Sequence, residues 1–306
     1  MFRNTNFIGV FLGFFGFTIF VFLDSLIKKY LVNDYPVIQI NFYILLFNLI
    51  PISLSVLFIT GVKILKNNKI HIQLFRGVTG FICAAIIINS FKNHAFSEIY
   101  PILFSAPLIL TLLSMIILKE KVGPRRLLAV SIGFLGVLIV SRPGTIHFTF
   151  SLFLLFIGAF LLAVNVILIR KFSKNNSSVA FAFYGSISGL IISTVIIANS
   201  YVPLKGNDIY IFIICGLIAG TGALFISYAS KILESSVFAP LQYSQLVSGF
   251  IFGYLFFSDL PDAFEIIGSI IISISGLFII YREYKVGIRP VEKNEIPLRD
   301  VINRGQ

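Results

Sequence analysis

Residues 209–229 read IYIFIICGLIAGTGALFISYA, a stretch without one charged side chain. Because a helix needs about 20 mostly apolar residues to cross the hydrocarbon core of a bilayer, this stretch predicts a transmembrane helix. Other stretches of the same character raise the number of predicted helices to ten. They lie near 7–27, 37–60, 77–91, 100–118, 127–140, 151–169, 179–198, 209–229, 237–257 and 266–281.

The composition of the whole chain points the same way. Of its 306 residues, 57% are hydrophobic and 12% are charged, and the mean hydropathy is +0.96. A soluble domain carries about 25% charged residues, so this chain has too little polar surface to cover a globule in water. A soluble enzyme, a nucleic-acid-binding module and a disordered scaffold are therefore excluded. No nucleotide-binding glycine loop is present either, which disfavours an ATP-driven pump.

The positions of the basic residues predict how the chain is oriented. With the N-terminus inside, 19 of the 24 Lys and Arg residues fall on the inner side, including Arg76 in the connection before the third helix. Basic residues accumulate in cytoplasmic loops, so both termini are predicted to be cytoplasmic in a multi-pass protein of the inner membrane. The formal charge of +11 then needs no nucleic-acid partner. The five outer basic residues are Lys28, Lys29, Lys92, Arg142 and Lys205.

A fixed offset of 139 positions matches the two halves of the chain. Each half holds five predicted helices, and an odd number places the second copy upside down relative to the first. We therefore expect an all-α integral membrane protein with ten transmembrane helices in two inverted five-helix repeats, at 1–142 and 143–282, and a cytoplasmic tail at 283–306. Inverted repeats are typical of secondary transporters. The matched pairs include Gly77 with Gly216, Lys92 with Lys231, Pro101 with Pro240, Ser105 with Ser244 and Glu120 with Asp259.

Short segments of the repeats resemble a known family. The segment YPILFSAP at 100–107 with LKEK at 118–121, and its counterpart with Pro240 and Asp259, resemble EamA-type members of the drug/metabolite transporter superfamily. The second copy has Asp259 where Glu is common in that family. Residues 24–30, DSLIKKY, are similar to the first helix of importers for riboflavin and S-adenosylmethionine. The resemblance extends over roughly 7–282 and implies a transporter of a small organic metabolite, with import slightly favoured over export.

Asp24 is the one acid well inside a predicted helix. A carboxylate at membrane depth is expensive and usually faces a cavity or a partner, which makes Asp24 the candidate for binding a coupling ion such as a proton. The alternative is that Asp24 lies near the outer interface and pairs with Lys28, four residues later on the same face of the helix.

The ninth predicted helix carries a group of polar residues just after Pro240. Gln242, Tyr243 and Gln245 can orient a polar ligand through hydrogen bonds, although Gln also commonly bonds between membrane helices. Other polar residues inside predicted helices complete the candidate substrate-binding set, although each alone is more often a packing contact. They are Asn41, Asn89, Asn165, Tyr184 and Tyr228.

Glycine pairs at a spacing of four predict close helix crossings, either inside the protein or at a homodimer face, with internal packing favoured. The pairs are Gly9 with Gly13, Gly185 with Gly189, Gly216 with Gly220 and Gly249 with Gly253. His71, His94 and His147 lie far apart in predicted loops, so neither a metal nor another cofactor is predicted.

Taken together, these patterns predict a secondary active transporter that moves a small organic metabolite by alternating access. The alternatives are an exporter of the same superfamily, an integral-membrane enzyme and a channel. The polar cluster of an enzyme would come from outer acids such as Asp259, Asp262 and Glu265.

Overall fold

The computed structural model describes residues 2–66, 70–117, 119, 123–143, 149–172, 178–198, 200–233, 238 and 241–286. Within these ranges the chain is helical with short connections, and no β-strand occurs. The long apolar stretches explain this, because a helix satisfies every backbone donor and acceptor within its own segment, as a membrane requires.

Eleven α-helices are described. The first half contains α1 (Phe2–Tyr30), α2 (Val37–Ser55), α3 (Ile70–Ser90), α4 (Phe96–Leu103), α5 (Ala106–Ile117) and α6 (Pro124–Ser141). A π-helical turn (Val56–Thr60) continues α2, and a 3-10 helix (Val62–Leu65) follows it. The second half contains α7 (Phe150–Phe172), α8 (Ser178–Ile197), α9 (Asp208–Ile232), α10 (Ser244–Phe257) and α11 (Ala263–Val286).

In the described part of the chain, eight helical segments are long and apolar enough to cross a membrane, with α4 and α5 counted as one segment, Phe96–Ile117. Two shorter apolar helices, Ser244–Phe257 and Ala263–Ile279, occupy the positions of the ninth and tenth predicted crossings. The chain is therefore a multi-pass membrane protein. The number of ten crossings stays a prediction.

The third helix begins earlier than its sequence predicted. We expected it from residue 77, whereas α3 begins at Ile70, so Gln73 and Arg76 lie inside the helix. Placing Arg76 in a connection was therefore wrong. The physical reason is that α3 packs against both α7 and α8, which lets polar side chains face protein instead of lipid. At the other terminus, α11 continues to Val286, so it takes in the first residues of the predicted tail. Glu120 and Pro240 lie outside the described residues.

Two helix interruptions meet inside the bundle. Phe104 and Ser105 separate α4 from α5, and Gln242 and Tyr243 precede α10. Phe104 and Tyr243 occupy equivalent positions at the offset of 139, and their ring centroids lie 5.1 Å apart. The two halves thus contact each other through equivalent residues.

The helix pairing repeats between the halves. The contact between α1 and α9 corresponds to the contact between α7 and α3. In the same way, the α2–α9 contact corresponds to α8–α3, and the α1–α10 contact corresponds to α7–α5. The pairs α2–α8 and α6–α11 each join equivalent helices. Exchanging the halves therefore leaves this set of contacts unchanged.

Glycines allow the closest of these crossings. A Cβ atom built on Gly216 or Gly220 would overlap α2 at Phe47, Asn48 and Pro51, and one on Gly249 would lie 2.6 Å from the ring of Tyr100. These glycines face other helices of the same chain, so the favoured interpretation, internal packing, is confirmed at these positions.

Candidate functional site

Asp24 lies where four helices meet. The hydroxyl of Tyr100 on α4 donates a hydrogen bond to Asp24 Oδ2 at 2.7 Å. The Tyr100 ring packs on Gly249 of α10, and α9 packs along α1. Asp24 itself is half-buried. Asp24 thus lies in a protein interior formed by α1, α4, α9 and α10, and these helices come from both halves of the chain.

Lys28 is engaged elsewhere. Its ammonium nitrogen lies 2.8 Å from the carbonyl oxygen of His94 and 3.5 Å from Asp259 Oδ2, and 4.6 Å from the centroid of the Phe257 ring. Among the described residues, no basic side chain forms an ion pair with Asp24. The alternative of an Asp24–Lys28 pair is therefore not the arrangement in this structure.

The polar residues of the ninth predicted helix lie beside α1. Helices α1 and α10 run in the same direction, with Phe22 against Phe252 and Ser248 Oγ 3.4 Å from Thr18 Oγ1. Gln245 and Ser248 are spaced by three residues and share one face of α10, and Gln242 lies in the turn just before the helix. The structure thus places the two leading sequence candidates, Asp24 and the glutamine pair, on neighbouring helices.

Tyr243 has a different environment. Its ring packs on Phe104, and its hydroxyl occupies the space over Gly276, where a Cβ atom would collide with it. The contact joins the start of α10 to α11 and to the break between α4 and α5. Tyr243 therefore contributes mainly its aromatic surface at the junction of the halves.

Three other candidates are separate from Asp24. The hydroxyl of Tyr228 lies 2.7 Å from Ser55 Oγ, and the hydroxyl of Tyr184 donates to the carbonyl oxygen of Leu65 at 2.7 Å. Both contacts lie at the end of the bundle where α1 begins and α2 ends, whereas Asp24 lies towards the opposite end. Asn89 is exposed in the last turn of α3. The structure does not bring these three side chains to Asp24.

Asn41 of α2 is buried, with 3% of its surface exposed, and its side-chain nitrogen has no hydrogen-bond partner. Seven residues later, the buried side-chain oxygen of Asn48 also lacks a partner. A buried polar group without a partner costs about 1–3 kcal/mol, so each amide is suited to a ligand or water that would supply the missing bond.

A second polar group lies between α3, α7 and α8. Asn165 Oδ1 is 3.1 Å from the Thr79 hydroxyl, and Arg76 Nη1 donates to the carbonyl oxygen of Phe181 at 2.8 Å. Gln73 is buried beside them on α3, and both polar atoms of its side chain lack a partner. The sequence alone identified Asn165 as a candidate but not Gln73 or Arg76. The signal was present, because Gln73, Arg76 and Thr79 follow one another at a spacing of three, which indicates one polar face of a helix.

At the end of the bundle where α1 ends, polar residues form hydrogen bonds between two connections. Tyr35 donates to Asp208 Oδ2 at 2.6 Å and accepts the backbone N–H of Lys205 at 2.8 Å. Burial, together with the neighbouring Asp208 carboxylate, raises the pKa of Tyr35. Gln39 makes two hydrogen bonds to the backbone of Val202. The connection from α1 to α2 is therefore fastened to the one from α8 to α9.

The outer acids that an integral-membrane enzyme could use, and the histidine near them, make contacts that hold helix ends and connections. Asp262 and Glu265 cap the start of α11, each accepting a hydrogen bond from the backbone N–H of the other. Asp262 also pairs with Arg142. His94 lies in the connection from α3 to α4, as expected, and is buried between Glu98, at 2.9 Å, and Thr149, at 2.8 Å. These contacts fix helix ends and connections. His71 lies in the first turn of α3 and not in a loop, which corrects its expected position, and His147 lies outside the described residues.

Comparisons with known proteins agree with this architecture. The S-adenosylmethionine uptake transporter of Rickettsia felis is 24% identical over 269 residues, which are 88% of this chain and 91% of that protein. Human solute carrier family 35 member G1 is 25% identical, with 87% of this chain and 78% of that protein covered. A solved crystal structure with 12% sequence identity matches 90% of this chain and 96% of its own with a TM-score of 0.63, which supports the fold.

The model of the EamA-like transporter family matches the chain twice, over residues 7–142 and 149–282. The two matches nearly coincide with the two repeats expected from the offset of 139 positions. Together they account for nearly the whole apolar part of the sequence, and the chain therefore belongs to the EamA-like transporter family.

Proposed function

We propose that this protein imports S-adenosylmethionine, or a closely similar sulfonium metabolite, across the inner (cytoplasmic) membrane. Asp24 carries the proposal, because it is an interior carboxylate without a described basic partner, at the junction of helices from both halves. Relatives covering most of the chain are named S-adenosylmethionine uptake transporters. That compound combines a sulfonium cation with an amino-acid end, so it suits an interior that offers a carboxylate and unpaired amides.

The mechanism we propose is alternating access by two inverted five-helix repeats with both termini in the cytoplasm. The exchange of equivalent helix contacts between the halves supports it, as does the meeting of Phe104 with Tyr243. In such an arrangement the halves take two mirror-related positions around a central site, which opens first to one side and then to the other. The substrate-binding set we propose comprises Asn41, Gln242 and Gln245, together with Asp24.

An uptake screen in proteoliposomes with an imposed pH gradient tests the proposed substrate and direction. Purified protein is offered labelled S-adenosylmethionine, riboflavin and amino acids, each with and without the gradient. Saturable accumulation of S-adenosylmethionine is expected. Accumulation of another compound alone would contradict the substrate. Efflux of a loaded pool without uptake would identify an exporter instead.

Within this function we propose that Asp24 binds the coupling proton. Asp24→Asn keeps the size of the side chain but removes its charge, so gradient-driven accumulation is lost. Exchange of internal for external substrate continues, with a raised KM because the sulfonium cation no longer meets a carboxylate. Tyr100→Phe keeps the carboxylate and is expected to retain gradient-driven uptake at a lower rate.

Asp34→Asn is the matched control, because Asp34 forms an exposed pair with Lys205 and exposed pairs contribute little. Gradient-driven accumulation by Asp24→Asn equal to that of Asp34→Asn would remove Asp24 from the coupling step.

A further inference from the structure

Gln73 and Arg76 form a polar pair inside the bundle that the proposed function has not used. They lie three residues apart on α3, on the side that faces α7 and α8. Arg76 crosses to α8, where its guanidinium donates to the carbonyl oxygen of Phe181 and lies 5.3 Å from the centroid of the Phe181 ring. A basic side chain held inside a membrane bundle in this way is expected to have a function.

The charge of Arg76 is not balanced by a described carboxylate. No Asp or Glu among the described residues forms an ion pair with it, and its Nε atom is buried without a hydrogen-bond partner. The Phe181 carbonyl satisfies one N–H of the five that a guanidinium carries. The group therefore retains donors for an anion.

Gln73 supplies the complementary atoms. The residue is 1% exposed, and neither its side-chain oxygen nor its side-chain nitrogen has a partner. The nitrogen can donate to an anion beside Arg76, and the oxygen can accept a hydrogen bond from an ammonium group. Gly185 lines the guanidinium on the facing helix, since a Cβ atom there would lie 3.6 Å from Arg76 Nη1, an ordinary contact distance.

We propose that Gln73 and Arg76 bind the amino-acid end of the substrate, with Arg76 on the carboxylate and Gln73 bridging the carboxylate and the ammonium group. A planar guanidinium matches a carboxylate through two parallel hydrogen bonds. Thr79 lies one turn further along α3 and, with Asn165 of the facing helix α7, extends the polar surface. This assignment rests on the proposed function and names a binding site separate from Asp24, because Arg76 lies towards the end of the bundle where α1 begins and Asp24 towards the opposite end.

The test compares S-adenosylmethionine with S-adenosylmethioninamine, which keeps the sulfonium and amine but lacks the carboxylate. In proteoliposomes the wild-type protein is expected to show a KM at least ~10-fold lower for the carboxylate-bearing compound. Arg76→Gln raises the KM for S-adenosylmethionine about 10- to 100-fold, as expected for loss of a charged hydrogen bond, and changes the KM for the decarboxylated compound by less than about 3-fold. An equal rise for both compounds, or no preference in the wild type, would overturn the assignment.

Gln73→Glu keeps the assignment testable if Arg76→Gln does not fold. It preserves the side-chain size and places a carboxylate beside the guanidinium, so that Arg76 is occupied internally and the preference for the carboxylate-bearing compound disappears. A retained preference in Gln73→Glu would contradict the proposal. Lys66→Gln removes an exposed basic residue near the same end of the bundle and serves as the control with unchanged KM values.

A binding measurement separates this assignment from the substrate proposal. If the wild-type protein takes up no S-adenosylmethionine, its thermal unfolding is measured with L-methionine and with L-methioninamide, which lacks the carboxylate. Stabilisation by methionine alone, lost in Arg76→Gln, would support the site although the substrate proposal had failed. Equal effects of the two compounds, or no effect of either on the wild type, would overturn the site.

Discussion

Gly220 is the position where a single added methyl group tests the contact between the halves. Helix α9 crosses α2 so closely there that a Cβ atom would lie 2.5 Å from the backbone oxygen of Asn48 and would collide with the ring of Pro51. Ordinary contacts begin near 3.4 Å. Because a backbone oxygen cannot rotate away, Gly220→Ala forces α2 and α9 apart.

The magnitude follows from a matched glycine. A Cβ atom on Gly80, in the interior of α3, would meet nothing within 4 Å. Both substitutions gain the same helix preference of alanine over glycine, about 0.5–1 kcal/mol. Their difference is therefore the cost of overpacking, about 1–3 kcal/mol, with Gly220→Ala the less stable protein. For a chain of this size that corresponds to roughly 2–6 °C in Tm.

A thiol-reactive fluorescent dye measures this difference in detergent. The chain has no tryptophan, and both of its cysteines, Cys83 and Cys215, are free and buried. The dye therefore reacts as the protein unfolds. Equal melting temperatures for Gly220→Ala and Gly80→Ala would refute the close crossing of α2 and α9.

Two further predictions concern orientation and pH. If the termini are cytoplasmic, a membrane-impermeant maleimide added outside intact cells labels Lys92→Cys and not Lys66→Cys, and labelling of Lys66→Cys alone would invert the topology. Although burial raises it, the pKa of Asp262 is lowered on balance by the backbone N–H of Glu265 and by Arg142. The ionised Asp262 carboxylate therefore stabilises the fold above its unfolded pKa, near 3.8, and this stabilisation is lost as the pH falls through the folded pKa. Asp262→Asn should lower the Tm at pH 7 but not in strong acid. An equal decrease in Tm at both pH values would contradict a stabilising role of the ionised carboxylate.

Long apolar stretches were predictable because the membrane imposes one rule on all of them. The second predicted helix, 37–60, coincides with α2 and its π-helical continuation, since no polar residue interrupts the stretch enough to obscure its ends. The third was truncated because Gln73 and Arg76 lower the local hydropathy. Only contacts with α7 and α8 make those residues acceptable inside the bundle, and such contacts depend on the whole fold.

The candidate site was only partly predictable for a similar reason. An acid inside an apolar helix is visible in the sequence, so Asp24 was found. Its partner is Tyr100, 76 positions away, and Lys28 instead reaches Asp259, 231 positions away. Local spacing suggested the pair of Asp24 with Lys28, but the tertiary contacts of α1 with α4 and α10 decide both partners. Polar residues such as Tyr184 and Tyr228 look equally suited to a cavity in the sequence, yet they bond at the other end of the bundle.

Counterflow of S-adenosylmethionine is the most direct test of the account. Proteoliposomes are loaded with unlabelled compound, diluted into a trace of labelled compound without any ion gradient, and followed over time. A carrier whose two halves expose one site alternately predicts a transient accumulation of label above its equilibrium level. Label that only equilibrates, or never enters, while the protein is shown to be folded by its thermal transition, would contradict alternating transport of this substrate.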